Sequence, residues 1–192
     1  MKSSPRGRAL DFDPDEALKT LRAADPTLRK TIDLIGEFAL ERELRSTTSV
    51  YAALTRSIVS QQLSVRAAAT IYGRLCELFP SSRGGHKPAQ ILAASDADLR
   101  GAGLSRAKTL ALRDLAERSL VGEIPTLAAA RRLPDEAIIE RLTAVRGIGR
   151  WTAEMFLIFH LMRPNVMPLD DLGLIKGISV NYFSGEPVTR AE

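Results

Sequence analysis

From about residue 15 onward, the chain is a series of alanine-, leucine- and arginine-rich segments separated by proline or glycine. Each segment is roughly ten to seventeen residues long, and alternating runs of β-branched residues are scarce. Because alanine, leucine and arginine favour helix, the pattern predicts an all-α fold with many short helices. The predicted helices span residues 15–23, 27–44, 49–61, 65–79, 88–94, 96–101, 105–120, 126–132, 134–145 and 150–162, and a last helix begins near residue 170.

The composition is that of an ordinary globular protein, with 45% hydrophobic and 26% charged residues among 192. The 27 lysine and arginine residues outnumber the 23 acidic residues, for a formal net charge of +4. This mild basicity permits a polyanionic partner but does not require one. No window approaches the roughly 18 apolar residues of a membrane span, so no membrane association is expected. Residues 1–14 predict a flexible polar arm without the apolar core of a secretory signal.

The cysteine and histidine content excludes several kinds of site. The single cysteine, Cys76, rules out a disulfide framework, a cysteine-based zinc site and a cysteine-ligated iron–sulfur cluster. Cys76 lies in a segment typical of a buried helix face, which argues against a thiol nucleophile. We expect His86 to be solvated in a loop, and His160 to face the core or a groove. Neither histidine has the spacing of a metal ligand.

The segment Gly147-Ile148-Gly149 joins two predicted helices and predicts a tight hairpin. Its glycines allow positive φ and the close approach of another backbone, while Ile148 can fill the space between the helices. The hairpin amides and the following helix start can bind an anion such as a DNA phosphate, with Arg146 and Arg150 on either side. The alternative is a helix–turn–helix joint without a ligand. A second Gly-x-Gly segment, at residues 101–103, predicts another such hairpin less strongly.

Two further polar segments are candidates for function. Asp170 and Asp171 precede the last predicted helix, where a carboxylate usually acts as the helix cap. We expect Asp170 to cap this helix and Asp171 to project from its first turn. The turn over residues 60–64 is polar and ends at Ser64, which is predicted to cap the helix that follows. A plain capped turn is the alternative reading of that segment.

Three motifs in this order resemble the helix-hairpin-helix DNA glycosylases, in particular their alkylbase (3-methyladenine) branch. The resemblance extends from about Tyr51 to Lys176. The motifs are Ile58-Val-Ser-Gln-Gln-Leu-Ser-Val65, the hairpin followed by Trp151-Thr152-Ala153, and Pro168-Leu-Asp-Asp171.

The resemblance implies a role for individual residues. It makes Asp171 the catalytic carboxylate and Gln62 the plug that fills the gap left by an extruded nucleotide. Trp151 becomes the stacking wall of the base pocket, with Tyr51 and Phe38 as further candidate walls. It also implies phosphate binding by Gly147, Gly149, Arg146, Arg150 and Thr152, and a sodium or potassium ion at the backbone carbonyls of Arg146 and Ile148. No other cofactor is expected.

The resemblance also implies the fold and the activity. It indicates a compact two-lobed helical fold over residues 15–192 with a cleft between the lobes, one lobe near 50–135 and the other formed by 15–49 with 136–192. It implies a monomeric enzyme of the cytoplasm (nucleoid) or nucleus that removes alkylated purines, such as 3-methyladenine and 7-methylguanine, from double-stranded DNA. Because Trp151 stands where lyases carry a lysine, no lyase activity is expected. The alternatives are a non-catalytic DNA-binding protein and a glycosylase for hypoxanthine or oxidised purines.

Overall fold

The computed structural model describes residues 12–36, 49–80 and 86–189. Within these ranges the regular elements are helical and no strand is present, which confirms the predicted all-α class. None of the described helices is both long enough and apolar enough to cross a bilayer. The α-helices are α1 (Pro14–Ala24), α2 (Pro26–Ile35), α3 (Val50–Ser60), α4 (Val65–Glu77), α5 (Pro88–Ala93), α6 (Asp96–Gly101), α7 (Arg106–Leu120), α8 (Leu127–Ala130), α9 (Asp135–Thr143), α10 (Arg150–Phe156) and α11 (Leu172–Tyr182).

Side-chain caps determine where many of these helices begin. An oxygen of the cap residue accepts a backbone N–H of the first turn, which would otherwise lack a partner. Ser64 accepts from the amide of Ala67 at 3.3 Å, so its predicted role as the cap of α4 is confirmed. Side chains also cap α1, α2, α3, α6, α7 and α8, through Asp13, Asp25, Ser49, Ser95, Ser105 and Thr126.

Two predicted helices differ from the structure by more than two residues at their C-terminal ends. The helix predicted over 27–44 ends at Ile35, because Gly36 follows in a positive-φ conformation (φ 86°) that terminates the helix. Residues 37–48, which include the candidate pocket residue Phe38, lie outside the described ranges. The helix predicted over 150–162 changes to a π-helix at Leu157–Leu161 and ends at Met162, where φ is 61°.

The chain divides into two units, which we name by their positions in the sequence. The central unit comprises Ser46–Leu161, and the terminal unit comprises Met1–Arg45 with Met162–Glu192. In the central unit α3 and α5 pack on α7, α4 packs on α3, and α9 and α3 both contact α10. Residues 136–161 therefore belong with 50–135, unlike in the predicted division, because α10 packs against α3. The fully buried side chains of this core include Leu54, Ile58, Leu75, Leu112, Leu115, Ile138, Leu142 and Leu157.

The terminal unit has its own internal contacts. Helices α1 and α2 pack on each other, and the side chain of Arg22 pairs with Asp33 at 3.0 Å. The hydroxyl of Tyr182 in α11 donates to Asp25 at 2.7 Å, which links the two ends of the chain. Helix α1 begins at Pro14, inside the predicted arm; residues 1–11 lie outside the described ranges.

His86 is buried, and the prediction of a solvated histidine is wrong. Its ring is 7% exposed and lies 5.6 Å from the ring of Tyr51, with Tyr72 and Phe79 each at 6.2 Å. Burial lowers the pKa of His86 to about 4, so the ring is neutral at pH 7.

Cys76 and His160 are both partly buried. The Cys76 thiol lies beside Tyr72, and burial raises its pKa, which makes it a poor nucleophile. His160 in the π-helix stacks on Phe156 with 5.4 Å between ring centroids. Burial lowers the pKa of His160, consistent with the predicted position facing the core or a groove.

Candidate nucleic-acid interface and catalytic carboxylate

The hairpin between α9 and α10 has the conformation that its two glycines allow. Gly147 adopts a φ of 77°, and a Cβ at this position would lie 3.6 Å from the Cβ of Ala111 in α7. Gly149 is extended, with a φ of −90°, and has open space around it. Ile148 is 4% exposed, as expected for a side chain that fills the space between the helices. The first glycine is therefore required by backbone geometry, whereas the second leaves the surface open.

The backbone groups of the hairpin are only partly used within the protein. The amide of Arg146 donates to the carboxylate of Asp114 at 2.7 Å, and that of Ile148 donates to the Val145 carbonyl at 3.0 Å. The amides of Gly147 and Gly149 donate to no acceptor in the described part of the chain. Amides without an acceptor inside the protein suit an oxyanion such as a phosphate.

The hairpin carbonyls were predicted to hold a monovalent cation. The Gly147 carbonyl accepts a hydrogen bond from Gln61 Nε2 at 2.8 Å. The carbonyls of Arg146 and Ile148 accept none from the described residues, so two oxygen ligands of the kind that hard cations prefer remain. No group of three or more His, Cys, Asp or Glu side chains that could hold a metal occurs in the described ranges.

The two arginines beside the hairpin differ in their surroundings. The guanidinium of Arg150 makes a bidentate contact with Glu136, at 2.6 and 3.1 Å, and its Nε donates to Glu154 at 3.0 Å. The hydrogen bond from Arg150 lowers the pKa of Glu136. Both carboxylates compete with a phosphate for the Arg150 guanidinium, so phosphate binding by Arg150 stays a prediction. Arg146 is exposed and lines the cavity described next.

A cavity of about 800 Å³ opens beside the hairpin within the central unit. Trp151, 44% exposed, forms part of its wall, and Thr152 and Met155 lie near it. Met155, one turn after Trp151, also lines the cavity, and no sequence motif indicates it. Tyr51, a candidate wall of the base pocket, does not line this cavity. It is 8% exposed and packs edge-on against His86 in the core. The walls include Gln61, Gln62, Lys108, Arg146, Trp151 and Met155.

The turn after α3 carries the predicted plug residue into this cavity. Gln62 is exposed, lines the cavity and has a φ of 58°, which is unusual for a residue other than glycine. The ammonium of Lys108 donates to the carbonyls of Val59 and Gln61, at 2.7 and 2.8 Å. Burial lowers the pKa of Lys108. Lys108 was also missed, although a cation in the first turn of a helix is unfavourable and could have signalled a contact elsewhere.

Asp171, and not Asp170, caps α11. The side chain of Asp171 accepts from the amide of Leu174 at 2.8 Å, and its own amide donates to Pro168 O at 2.9 Å. The predicted division of labour is therefore wrong, because the turn over 168–171 places Asp170 one residue too early to reach the first turn. Asp171 is partly buried and Asp170 is exposed. A Cβ on Gly173 would lie 3.1 Å from Asp171 Oδ1, so this glycine keeps space for the carboxylate.

Two helices joined by a Gly-Ile-Gly hairpin in an all-α fold are the features of a helix-hairpin-helix protein. The chain belongs to the HhH-GPD superfamily of base excision DNA repair proteins, whose sequence profile matches residues 55–190. This membership confirms the resemblance drawn from the three motifs.

Proteins similar to this chain are named as glycosylases that act on 3-methyladenine in DNA. DNA-3-methyladenine glycosylase 1 of Schizosaccharomyces pombe (strain 972 / ATCC 24843) is 37% identical over 158 residues, which cover 82% of this chain and 68% of that protein. The S. pombe 3-methyladenine DNA glycosylase Mag1, solved in complex with abasic DNA, superposes with a TM-score of 0.78 at 35% identity, covering 92% of this chain and 84% of that one. A DNA-3-methyladenine glycosidase from Bacillus halodurans gives the same TM-score and identity, with coverages of 95% and 80%.

Proposed function

We propose that this protein is a monofunctional DNA glycosylase that hydrolyses the N-glycosidic bond of alkylated purines, such as 3-methyladenine and 7-methylguanine, in double-stranded DNA. The observation that carries the proposal is the partly exposed Trp151, which adjoins the hairpin and lines the cavity. A broad aromatic face suits an electron-deficient alkylated base, and the cation–π component contributes about 1–2 kcal/mol when desolvated.

The chemistry needs one carboxylate, and Asp171 supplies it. Cleavage of the N-glycosidic bond develops positive charge on the deoxyribose, which an adjacent carboxylate stabilises. The same carboxylate can orient or deprotonate the attacking water. Alkylation at N3 or N7 already makes the purine cationic and a good leaving group, so a second carboxylic acid is not needed. The hydrogen bond from Leu174 fixes the Asp171 side chain before substrate binds.

The site offers no amine nucleophile at position 151. A lyase would use an amine to attack the sugar and form a Schiff base, and tryptophan cannot do so. Lys108 also lines the cavity, but its ammonium donates to two backbone carbonyls. The reaction therefore ends at an intact abasic site.

DNA binding is assigned to the hairpin. The amides of Gly147 and Gly149, with Arg146 beside them, contact phosphate oxygens and position the duplex without reading its sequence. A sodium or potassium ion at the carbonyls of Arg146 and Ile148 would add positive charge beside that phosphate. The protein acts as a monomer.

The test is incubation of the purified protein with DNA methylated by an alkylating agent, followed by chromatography of the released bases. The proposal expects release of 3-methyladenine and 7-methylguanine, with strand breaks only after alkali treatment. Release of hypoxanthine or an oxidised purine instead would assign a different lesion. Binding without release of any base would leave a non-catalytic DNA-binding protein, and a borohydride-trapped covalent adduct would reveal a lyase.

A further inference from the structure

The turn that carries Gln62 is held by side-chain contacts on both of its sides. On one side, Lys108 Nζ bridges the carbonyls of Val59 and Gln61, at 2.7 and 2.8 Å. On the other, Gln61 Nε2 donates to the carbonyl of Gly147 in the hairpin, at 2.8 Å. The turn is thus joined both to helix α7 and to the hairpin.

Gln62 itself needs such support. Its φ of 58° is a conformation that residues with a side chain adopt at an energetic cost. Such conformations persist when the surrounding structure determines them, and they cluster at functional sites. The amide of Leu63 donates to Ser60 O at 3.2 Å, which closes the turn without involving the Val59 carbonyl.

Lys108 is suited to this position. The last carbonyls of a helix lack intrahelical partners and carry the negative end of the helix dipole, so a cation there is favourable. An ammonium donates to two carbonyls at once, and such charge-assisted bonds are stronger than neutral ones. Lys108 is partly buried, which limits competition from water.

Helix α7 supports the hairpin from the same face. Lys108, Ala111 and Asp114 are spaced three residues apart, so they lie along one side of the helix. A Cβ added at Gly147 would lie in contact with Ala111, and the carboxylate of Asp114 accepts a hydrogen bond from the amide of Arg146 at 2.7 Å. One helix face therefore contacts both the plug turn and the hairpin.

We propose that Lys108 and Gln61 are positioning residues for nucleotide extrusion, which fix the plug turn to the hairpin so that Gln62 enters the duplex as the hairpin binds the strand. The inference rests on the proposed function. Lys108 acts through the backbone of the turn and not by contacting a phosphate or the sugar. Its removal therefore affects the extrusion step more than DNA binding.

The test uses variants of matched length. Lys108→Met keeps the aliphatic chain and removes the donors, and Gln61→Met does the same at the second contact. Arg106→Met removes one positive charge two residues before Lys108 on α7 and is the electrostatic control. Lys108→Arg, which can donate to both carbonyls, is the rescue variant. Circular dichroism and thermal unfolding establish that each variant is folded.

Three quantities are measured for each variant. The first is the single-turnover rate of base release from duplex and from single-stranded DNA of the same sequence. The second is the fluorescence rise of 2-aminopurine placed beside the lesion, which reports unstacking without bond cleavage. The third is the affinity for undamaged duplex as a function of salt.

The inference expects Lys108→Met to slow release from duplex by about tenfold or more, and release from single strands by less than about threefold. The fluorescence rise shrinks in parallel, and Lys108→Arg restores it. Gln61→Met shows the same pattern with a smaller loss, so the inference remains testable if Lys108→Met does not fold. Affinity for undamaged duplex changes no more than in Arg106→Met.

Equal losses on duplex and single strands, or the same losses in Arg106→Met, would overturn the inference. A wild-type protein that releases no base but raises the 2-aminopurine fluorescence would contradict the proposed function alone, and the variants would then be compared by fluorescence. Absence of both signals in the wild type would overturn both proposals.

Discussion

At the scale of single residues, Glu154 is a buried carboxylate that depends on Arg150 as its partner. Its carboxylate side chain is 7% exposed and is paired with Arg150 Nε at 3.0 Å. Removing the partner of a buried charge leaves that charge unsatisfied. We predict that Arg150→Met lowers the free energy of unfolding by more than Glu136→Gln does, because it leaves the buried Glu154 carboxylate without its partner. Urea denaturation of the free protein measures it.

Two comparisons test the cause of this loss. Glu136→Gln removes only the exposed partner of Arg150, so the unfolding free energy should change little. Adding Glu154→Gln to Arg150→Met removes the buried charge and should recover much of the loss. A double variant no more stable than Arg150→Met would contradict the explanation.

Gly173 and Gly177 both lie in α11 but differ in the space around them. A Cβ on Gly173 would crowd Asp171 Oδ1 at 3.1 Å, whereas one on Gly177 would meet nothing within 4 Å. We predict that Gly177→Ala raises the unfolding free energy by about 0.5–1 kcal/mol and leaves base release unchanged. Gly173→Ala shifts the carboxylate by a few tenths of an ångström and slows release by about tenfold. Single-turnover rates of the two variants decide this, and equal rates would exclude a spacing role for Gly173.

At the scale of elements, the two glycines of the hairpin serve different purposes. Gly147 allows a backbone conformation, and Gly149 leaves space for a ligand. Gly147 has a positive φ, and alanine in that conformation costs about 1–2 kcal/mol. Gly149 is extended and open, so alanine there costs the free protein little. We predict that Gly147→Ala lowers the free energy of unfolding by that amount, while Gly149→Ala leaves stability unchanged and weakens DNA binding. Thermal unfolding and a DNA titration of both variants provide the measurement.

The outcome of Gly149→Ala distinguishes the two explanations of this position. If the substitution leaves DNA affinity intact, no phosphate approaches the backbone at Gly149. If it destabilises the free protein as much as Gly147→Ala does, the fold of the free protein requires glycine at this position, and DNA binding does not explain it.

What the sequence predicts well in these elements is local. Ser64 follows a cap rule that depends on residues three positions apart, and the hairpin follows from two glycines between helical segments. The error at Asp170 and Asp171 is also local, because two adjacent acids satisfy the same rule and only the turn geometry chooses between them.

The contacts that the sequence does not predict join distant positions. Lys108 lies 47 residues from Gln61, and Asp114 lies 32 residues from Arg146. Arg150 is paired across 14 residues with Glu136. Periodicity and capping rules describe neighbours along the chain, so they assign such side chains to solvent or to a ligand until tertiary packing is known.

At the scale of the whole molecule, buried His86 makes stability depend on pH. Its pKa is about 4 in the folded protein, against 6.5 for an ordinary histidine. Between these values the unfolded chain binds the proton and the folded one does not, so stability is complete above about pH 6.5 and falls as the pH decreases towards 4. We predict that the wild type loses up to about 2 kcal/mol from this group between pH 7.5 and pH 5.

The measurement is urea denaturation at both pH values, for the wild type and for His86→Phe. Phenylalanine fits the surrounding aromatic cluster and removes two buried nitrogens that have no hydrogen-bond partner in the described chain. The variant should therefore be about as stable as the wild type at pH 7.5 and lose less at pH 5. An unchanged pH dependence would assign the effect to other groups, such as His160.

The central claim is that Asp171 carries out the chemistry, and a pair of adjacent isosteric substitutions tests it most directly. Asparagine can still accept the Leu174 amide, so Asp171→Asn keeps the helix cap and removes the charge. Asp170→Asn removes the same charge one residue earlier, on an exposed side chain.

The decisive measurement is the single-turnover rate of 3-methyladenine release from methylated duplex DNA, with DNA affinity measured in parallel. The account predicts that Asp171→Asn abolishes release while DNA binding stays equal or becomes tighter, and that Asp170→Asn releases the base at nearly the wild-type rate. Release by Asp171→Asn at the wild-type rate would contradict it.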